Sequence, residues 1–290
     1  MRKSTGIVTA TIAASAFAFL MSAPTPAIAG SHEMIDGPKL KWRVSLWGKR
    51  RAFTESLEFI SDTVKKRTGG KFEFKLYYGE QLSKSKENLD AISVGAVDAA
   101  LVCQSYHPKK LRTANVLDMP FLPITNFDVQ YAVSNAIFSH PVVKANFKQW
   151  NATIFAINVL PQYEYMGKGK APGSVADFKG MRLRALGGMG RSAKKIGAVP
   201  TTVPASETYN ALARGTVDAI GFPFTYAFSA YKLDEVADWY TTNMSLGTVN
   251  CPIVANIDSW NALPPQYKKL LNSLKKPAVE FQSAAYAKKD

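Results

Sequence analysis

Two arginines in one short apolar stretch are the residues with the most definite chemistry in this sequence. Met181-Arg182-Leu183-Arg184-Ala185-Leu186 reads as a strand, and a period of two places Arg182 and Arg184 on one face with Leu183 on the other. A guanidinium fork holds a carboxylate by two parallel charge-assisted hydrogen bonds. Taken alone, such a pair is more often an exposed edge or a structural salt bridge. Arg184 stands nearer the strand's carboxyl end, the side on which parallel sheets present ligands.

Directly after this strand, Gly187-Gly188-Met189-Gly190-Arg191-Ser192-Ala193 matches G-x-G-x-x-A and opens a helix. Read literally, that is a dinucleotide fingerprint. The fingerprint belongs in a first βαβ unit, and here it lies beyond the middle of the chain. A glycine turn that aims a helix amino end at an anion in a cleft fits the position better. No G-x-S-x-G, H-E-x-x-H, Walker loop or paired-carboxylate site stands out, which disfavours an enzyme. With only His32, His107 and His140, none at ligand spacing, neither a zinc site nor any other cofactor is expected.

The elements that would position the arginines follow from hydrophobic periodicity. Trp42, Val44 and Leu46 alternate with Arg43 and Ser45, and Phe72, Phe74 and Leu76 with Glu73 and Lys75, as in half-buried strands. Between them Phe53, Leu57, Ile60 and Val64 recur at helical spacing, ended by Gly69 and Gly70. Apolar runs without alternation at 99–102 and 153–160 suit strands covered on both faces, as in a parallel sheet. This strand–helix repetition predicts an α/β architecture.

An internal echo predicts two lobes. The nine residues from Ala91 to Ala99 recur from Ala211 to Ala219, each copy with a glycine (Gly95, Gly215) and an aspartate (Asp98, Asp218) before a buried strand. Helix–glycine–strand junctions are common, but this one is consistent with the same junction used once per lobe. The segments after the two echoes, from Cys103 to Tyr106 with Gln104 and from Gly221 to Tyr226, are then candidates to line a shared cleft. Aromatics crowd that region: Trp47, Tyr106, Tyr163, Tyr165, Phe222, Phe224 and Tyr226. At least half of these seven are expected in ordinary core. The rest would suit a pocket that is mostly apolar with few polar anchors.

The amino end reads as a secretory signal peptide: Arg2 and Lys3, an apolar run of about 16 residues, Pro24 and Pro26, then Ala27-Ile28-Ala29. The run is short for a span needing about 20 residues, so cleavage is expected after Ala29 and the mature chain is expected to be exported. Loss of Arg2 and Lys3 takes the net charge from +14 to +12. The basic residues are dispersed without a basic block, which disfavours nucleic acid or membrane as partner and suits attraction of small anions. Cys103 and Cys251 sit in apolar runs; export permits a disulfide, but two buried thiols are the favoured reading.

Together these stretches resemble the periplasmic solute receptors of tripartite ATP-independent periplasmic (TRAP) transporters, the DctP-type family. The matching segments come in family order: Trp47-Gly48-Lys49, Thr68-Gly69-Gly70-Lys71, Gly79-Glu80-Gln81-Leu82, the first echo, and Leu117-Asp118-Met119-Pro120-Phe121-Leu122. The strongest is Asp177-Phe178-Lys179-Gly180-Met181-Arg182-Leu183-Arg184, followed by Gly197-Ala198, the stretch from Tyr209 to Asp218, and Trp260-Asn261-Ala262-Leu263-Pro264-Pro265. The resemblance implies two α/β lobes joined by hinge strands and a long helix, with a ligand cleft between them. Residues 30–161 would form lobe I, completed by about 250–290, and residues 162–249 lobe II. The family's carboxylate-binding arginine falls on Arg184. Small and large integral-membrane permease subunits would be the partners, and the receptor itself would be a monomer.

Two departures bear on the ligand. Where many members carry a second arginine, this chain reads Pro161-Gln162-Tyr163-Glu164-Tyr165; where many carry Gln-Glu-Asn-Pro, it reads Ile220-Gly221-Phe222-Pro223. Tyr163 and Phe222 in those places favour an aromatic or apolar monocarboxylate, or a 2-oxo acid, over a sugar acid. The chain also stops at Asp290, where members usually continue for several helical turns. The expected ligand contacts are therefore Arg184, Trp47, Tyr106, Tyr163, Phe222, Arg182, Tyr226 and Gln104. The alternatives are a receptor feeding an ATP-driven importer, or a periplasmic enzyme or sensor on the same scaffold.

Overall fold

The computed structural model describes residues 34–288, apart from Pro123, Thr125, Phe224, Thr225, Ser245 and the side chain of Tyr226. The signal-peptide segment 1–29 lies outside the described residues. In chain order the elements are β1 (Leu40–Ser45), α1 (Glu55–Arg67), β2 (Phe72–Tyr77), α2 (Asn88–Ser93) and β3 (Ala99–Leu101). There follow α3 (Phe127–Ser139), α4 (Pro141–Lys148), β4 (Ala152–Ala156), β5 (Tyr163–Gly167), β6 (Arg182–Arg184) and α5 (Gly187–Lys195). Next are β7 (Val199–Thr201), α6 (Thr208–Ala213), β8 (Ala219–Pro223), α7 (Tyr226–Ala230) and β9 (Trp239–Tyr240). The chain closes with β10 (Ile253–Asn256), α8 (Ile257–Asn261), α9 (Pro265–Ser273) and α10 (Lys275–Ala287).

The strands form two five-stranded sheets of matching order, β2-β1-β3-β10-β4 and β7-β6-β8-β5-β9. In each, three strands run parallel and the fourth, β10 or β5, pairs antiparallel with the third. The sheets are thus mixed, where the apolar runs suggested parallel ones. Antiparallel strands buried on both faces carry the same apolar signal without alternation, so pattern alone does not separate the two cases. The exchange is topological: β5 enters the second sheet directly after β4, and β10 returns to the first after β9. The run at 153–160 therefore splits, with β4 ending at Ala156 and the rest crossing between lobes.

Local structure follows the periodicities. In β1, Trp42 and Val44 are buried while Lys41 and Arg43 are exposed. In α1, Leu57, Ile60 and Val64 are buried, and the helix ends where Gly70, in the left-handed region, gives its N–H to Lys65 O. The long helix implied by the resemblance is not among the described residues, where no helix exceeds 13 residues. Pro277 has no N–H and crowds the carbonyl of Ser273, four residues earlier. The chain accordingly breaks at Leu274 into α9 and α10.

The echoed junctions occupy equivalent places. In the first lobe Asp98 takes the N–H of Arg43 at 2.7 Å and returns its own N–H to Arg43 O. In the second, Asp218 takes the N–H of Arg182 at 2.7 Å and returns its own to Arg182 O. Arg43 and Arg182 are therefore counterparts, and by register Ser45 stands where the second lobe has Arg184.

The two cysteines correct the reading as buried thiols. Cys103 follows β3 and Cys251 precedes β10, its antiparallel neighbour, so pairing of those strands brings them together as a disulfide with both residues buried.

Candidate functional site

The site lies where the first sheet's carboxyl-end loops meet β6 and β8 of the second. Its wall includes Trp47, Tyr106, Tyr163, Arg184 and Phe222, five of the eight residues expected from sequence. These side chains close on one another and leave only about 20 Å³ of free cavity between them, room for about one water. No aspartate or glutamate among the described residues lines it.

Arg184 is 1% exposed, in a strand whose neighbouring Leu183 is wholly buried. Its Nε donates to Val203 O at 3.0 Å, Nη1 to Gly221 O at 2.7 Å and Nη2 to the Tyr106 hydroxyl at 3.1 Å. Its guanidinium lies 4.3 Å from the centroid of Phe222. Three of five N–H groups are thus engaged, all by neutral acceptors, and two remain, the number a bidentate carboxylate takes. A buried cation without a counter-ion costs several kcal/mol of desolvation.

Tyr106 links the lobes. Its hydroxyl oxygen accepts from Arg184 Nη2 and from the N–H of Ala205, both across the cleft, which leaves the O–H to donate. Lys86 Nζ to Thr202 O at 2.8 Å and Ser206 Oγ to Glu80 at 3.3 Å also bridge the lobes. Burial, partly countered by Arg184, raises the Tyr163 hydroxyl above its ordinary range, so it stays a neutral donor.

Two expected contacts, Arg182 and Gln104, are not brought to this wall. Arg182 is largely exposed and paired with Asp218, an ion pair of the strand junction. It shares a face with Arg184, but lies at the strand's outer end. Gln104 is buried and gives its Nε2 to Asp118 at 3.0 Å, away from the lining. Tyr226 opens α7, and its side chain lies outside the described residues. Tyr165 is buried against Phe178 as core.

The glycine turn also has a partner the sequence did not predict. A Cβ on Gly188 would stand 1.8 Å from the backbone oxygen of Asp118, and one on Gly187 2.5 Å from its carboxyl. The group packed against the amino end of α5 is therefore the protein's own Asp118, and the turn is a close packing of the lobes. Burial pushes the Asp118 carboxyl up to about 8, against the opposing effects of Gln104 and Arg191. An unfolded aspartate titrates near 4, so between about pH 4 and 8 the folded state retains a proton the unfolded state has lost. Stability from this group therefore falls as pH rises through that window. Asp118→Asn is expected to melt near wild type at pH 4 and above it at pH 8, by on the order of 5 kcal/mol, about four pH units at ~1.4 kcal/mol each. Equal melting-curve differences at both values would contradict this.

Sequence reasoning missed Arg51, Phe53, Tyr231 and Tyr286, which also line the wall. Arg51 had a usable signal, since it stands beyond the carboxyl end of β1 much as Arg184 ends β6. Tyr231 and Tyr286 had none, because the turn after α7 and the last helix, α10, carry them there.

The family described as DctP, bacterial extracellular solute-binding protein family 7, matches residues 44–290. The monocarboxylate 2-oxoacid-binding periplasmic protein of Nostoc sp. is 24% identical over 81% of this chain and 65% of its own length. A solute-binding protein of Verminephrobacter eiseniae is 26% identical over 62% of this chain and 54% of its own. The chain thus spans less than two thirds of the length of these two relatives. In structure it is similar to a TRAP solute-binding protein of Rhodoferax ferrireducens in complex with copurified benzoate, at a TM-score of 0.77 and 21% identity over 86% of this chain and 80% of that one. One from Bordetella bronchiseptica, with copurified calcium and picolinate, gives 0.73 and 25% over 87% and 76%. With a match running from the first strand to the last residue, this chain belongs to the DctP family of bacterial extracellular solute-binding proteins, family 7.

Proposed function

We propose that the protein is the periplasmic receptor of a TRAP transporter, binding a small organic carboxylate through Arg184 and delivering it to the small and large membrane permease subunits. The observation that carries this reading is a guanidinium 1% exposed, with two N–H groups unspent, in a pocket without acids among the described residues. The Tyr106 O–H adds a third donor to the carboxylate. The apolar wall of Trp47, Tyr163 and Phe222 supports an aromatic or apolar monocarboxylate or a 2-oxo acid, in keeping with the Nostoc relative.

The protein acts as a monomer after cleavage behind Ala29, as a carrier and not an enzyme. Residues 30–161 with 250–290 move as one lobe and 162–249 as the other, hinged at the two chain crossings. Because Tyr106 and Arg184 come from opposite lobes, a carboxylate held by both stabilises the closed form specifically, as a population shift requires. Native mass spectrometry of the protein as purified tests this. A retained small acid, lost on denaturation, is expected; a bound compound without a carboxylate overturns the reading.

A further inference from the structure

The pocket contains a second buried guanidinium that the Arg184 carboxylate leaves unused. Arg51, in the loop after β1, is 5% exposed, and its Nη1 donates to Trp47 O at 3.4 Å and Lys49 O at 2.7 Å. Its guanidinium carbon lies 5.0 Å from the Trp47 ring, 4.8 Å from Phe53 and 5.1 Å from Tyr231. These contacts hold it in place and bring no negative charge. The nearest acids in sequence, Glu55 and Glu58, are instead paired with Arg50.

Beside it, the Trp47 indole is 5% exposed and its Nε1–H is buried with no partner among the described residues. A buried donor left unpaired costs about 1–3 kcal/mol. An acceptor oxygen placed here would satisfy it and sit against the guanidinium. The two cationic ends are distinct. Tyr231 and Phe222 stack at 5.1 Å and 6°, with Arg51 against the first ring and Arg184 against the second.

We infer that Arg51 and Trp47 Nε1–H form a second acceptor subsite on the first-lobe wall, so that the ligand is a small acid bearing a second oxygen. That oxygen is a carbonyl or a second carboxylate, set apart from the carboxylate on Arg184, and the inference rests on the Arg184 reading. A site built to hydrogen-bond a ligand oxygen rejects the analogue lacking it.

The test is calorimetry of the mature protein with pentanoate, 2-oxopentanoate, 4-oxopentanoate and glutarate. At least one oxygenated acid is expected to bind about 10-fold or more tighter than pentanoate, the ratio for one hydrogen bond to a charged donor. The keto acids and glutarate distinguish the two kinds of oxygen. In Arg51→Gln that preference should fall below about 3-fold, because the second oxygen loses its charged partner. Trp47→Phe, which deletes the N–H and keeps an aromatic ring, should lower it in part. The inference is overturned if no oxygenated acid outbinds pentanoate, or if Arg51→Gln leaves the preference intact. Should Arg51→Gln not fold by circular dichroism, an unchanged preference in Trp47→Phe overturns it alone. Arg184→Gln separates the two claims: if that variant binds all four acids as wild type does, the Arg184 reading fails, whatever Arg51 does.

Discussion

Arg184→Gln is expected to weaken binding of the carboxylate ligand by about 2–5 kcal/mol, since truncating one partner of a buried charge pair strands the other. The effect should appear as faster dissociation, because the lost contact is buried and not a steering charge at the rim. Glutamine retains an amide donor but neither the charge nor the fork, so a substantial rescue is not expected. Calorimetry would measure the affinity, with circular dichroism as a check that the variant folds. Unchanged affinity in a folded variant would remove Arg184 from the site. Tyr106→Phe gives an internal comparison: it keeps the ring and removes one hydroxyl, so it should cost about 0.5–1.5 kcal/mol.

Removal of the Cys103–Cys251 bond is the second large effect. The two cysteines are 148 residues apart in sequence, and closing a loop of that length in the unfolded chain is worth about 5 kcal/mol on the chain-entropy account, with typical measured values of ~2–4. The double variant Cys103→Ser/Cys251→Ser is expected to lose stability on that scale in urea, with the unfolded state as the main site of the effect. Both cysteines also belong to the pocket wall, so ligand affinity should fall as well. Thiol titration of the unreduced, denatured protein should find no free thiol; two would show that the bond is absent.

Much of the fold was legible because each strand and helix carried its own period. The alternation in β1 and β2, the Leu57–Ile60–Val64 stripe and the glycine stops needed only local sterics. The echo was legible for the same reason, as a left-handed glycine and an aspartate write a local junction. Strand direction was not legible. The sequence around β5 and β10 is equally apolar whether its neighbours run parallel or antiparallel, and their exchange between sheets depends on where the chain crosses.

The same division runs through the site. The sequence by itself determined that an arginine would end β6 at the side where ligands bind, and that Trp47, Tyr106, Tyr163 and Phe222 would be available near it. Only the tertiary structure separated Arg184 from Arg182. Asp218 reaches Arg182 at the strand's outer end, while Arg184 is closed over by the other lobe through Tyr106. The fates of Gln104, turned to Asp118, and of the cysteines, joined across β3 and β10, were likewise decided by neighbours more than a dozen residues away. Arg51 shows the reason most plainly. Its charge is written in the sequence, but its lack of a counter-ion is a property of everything packed around it.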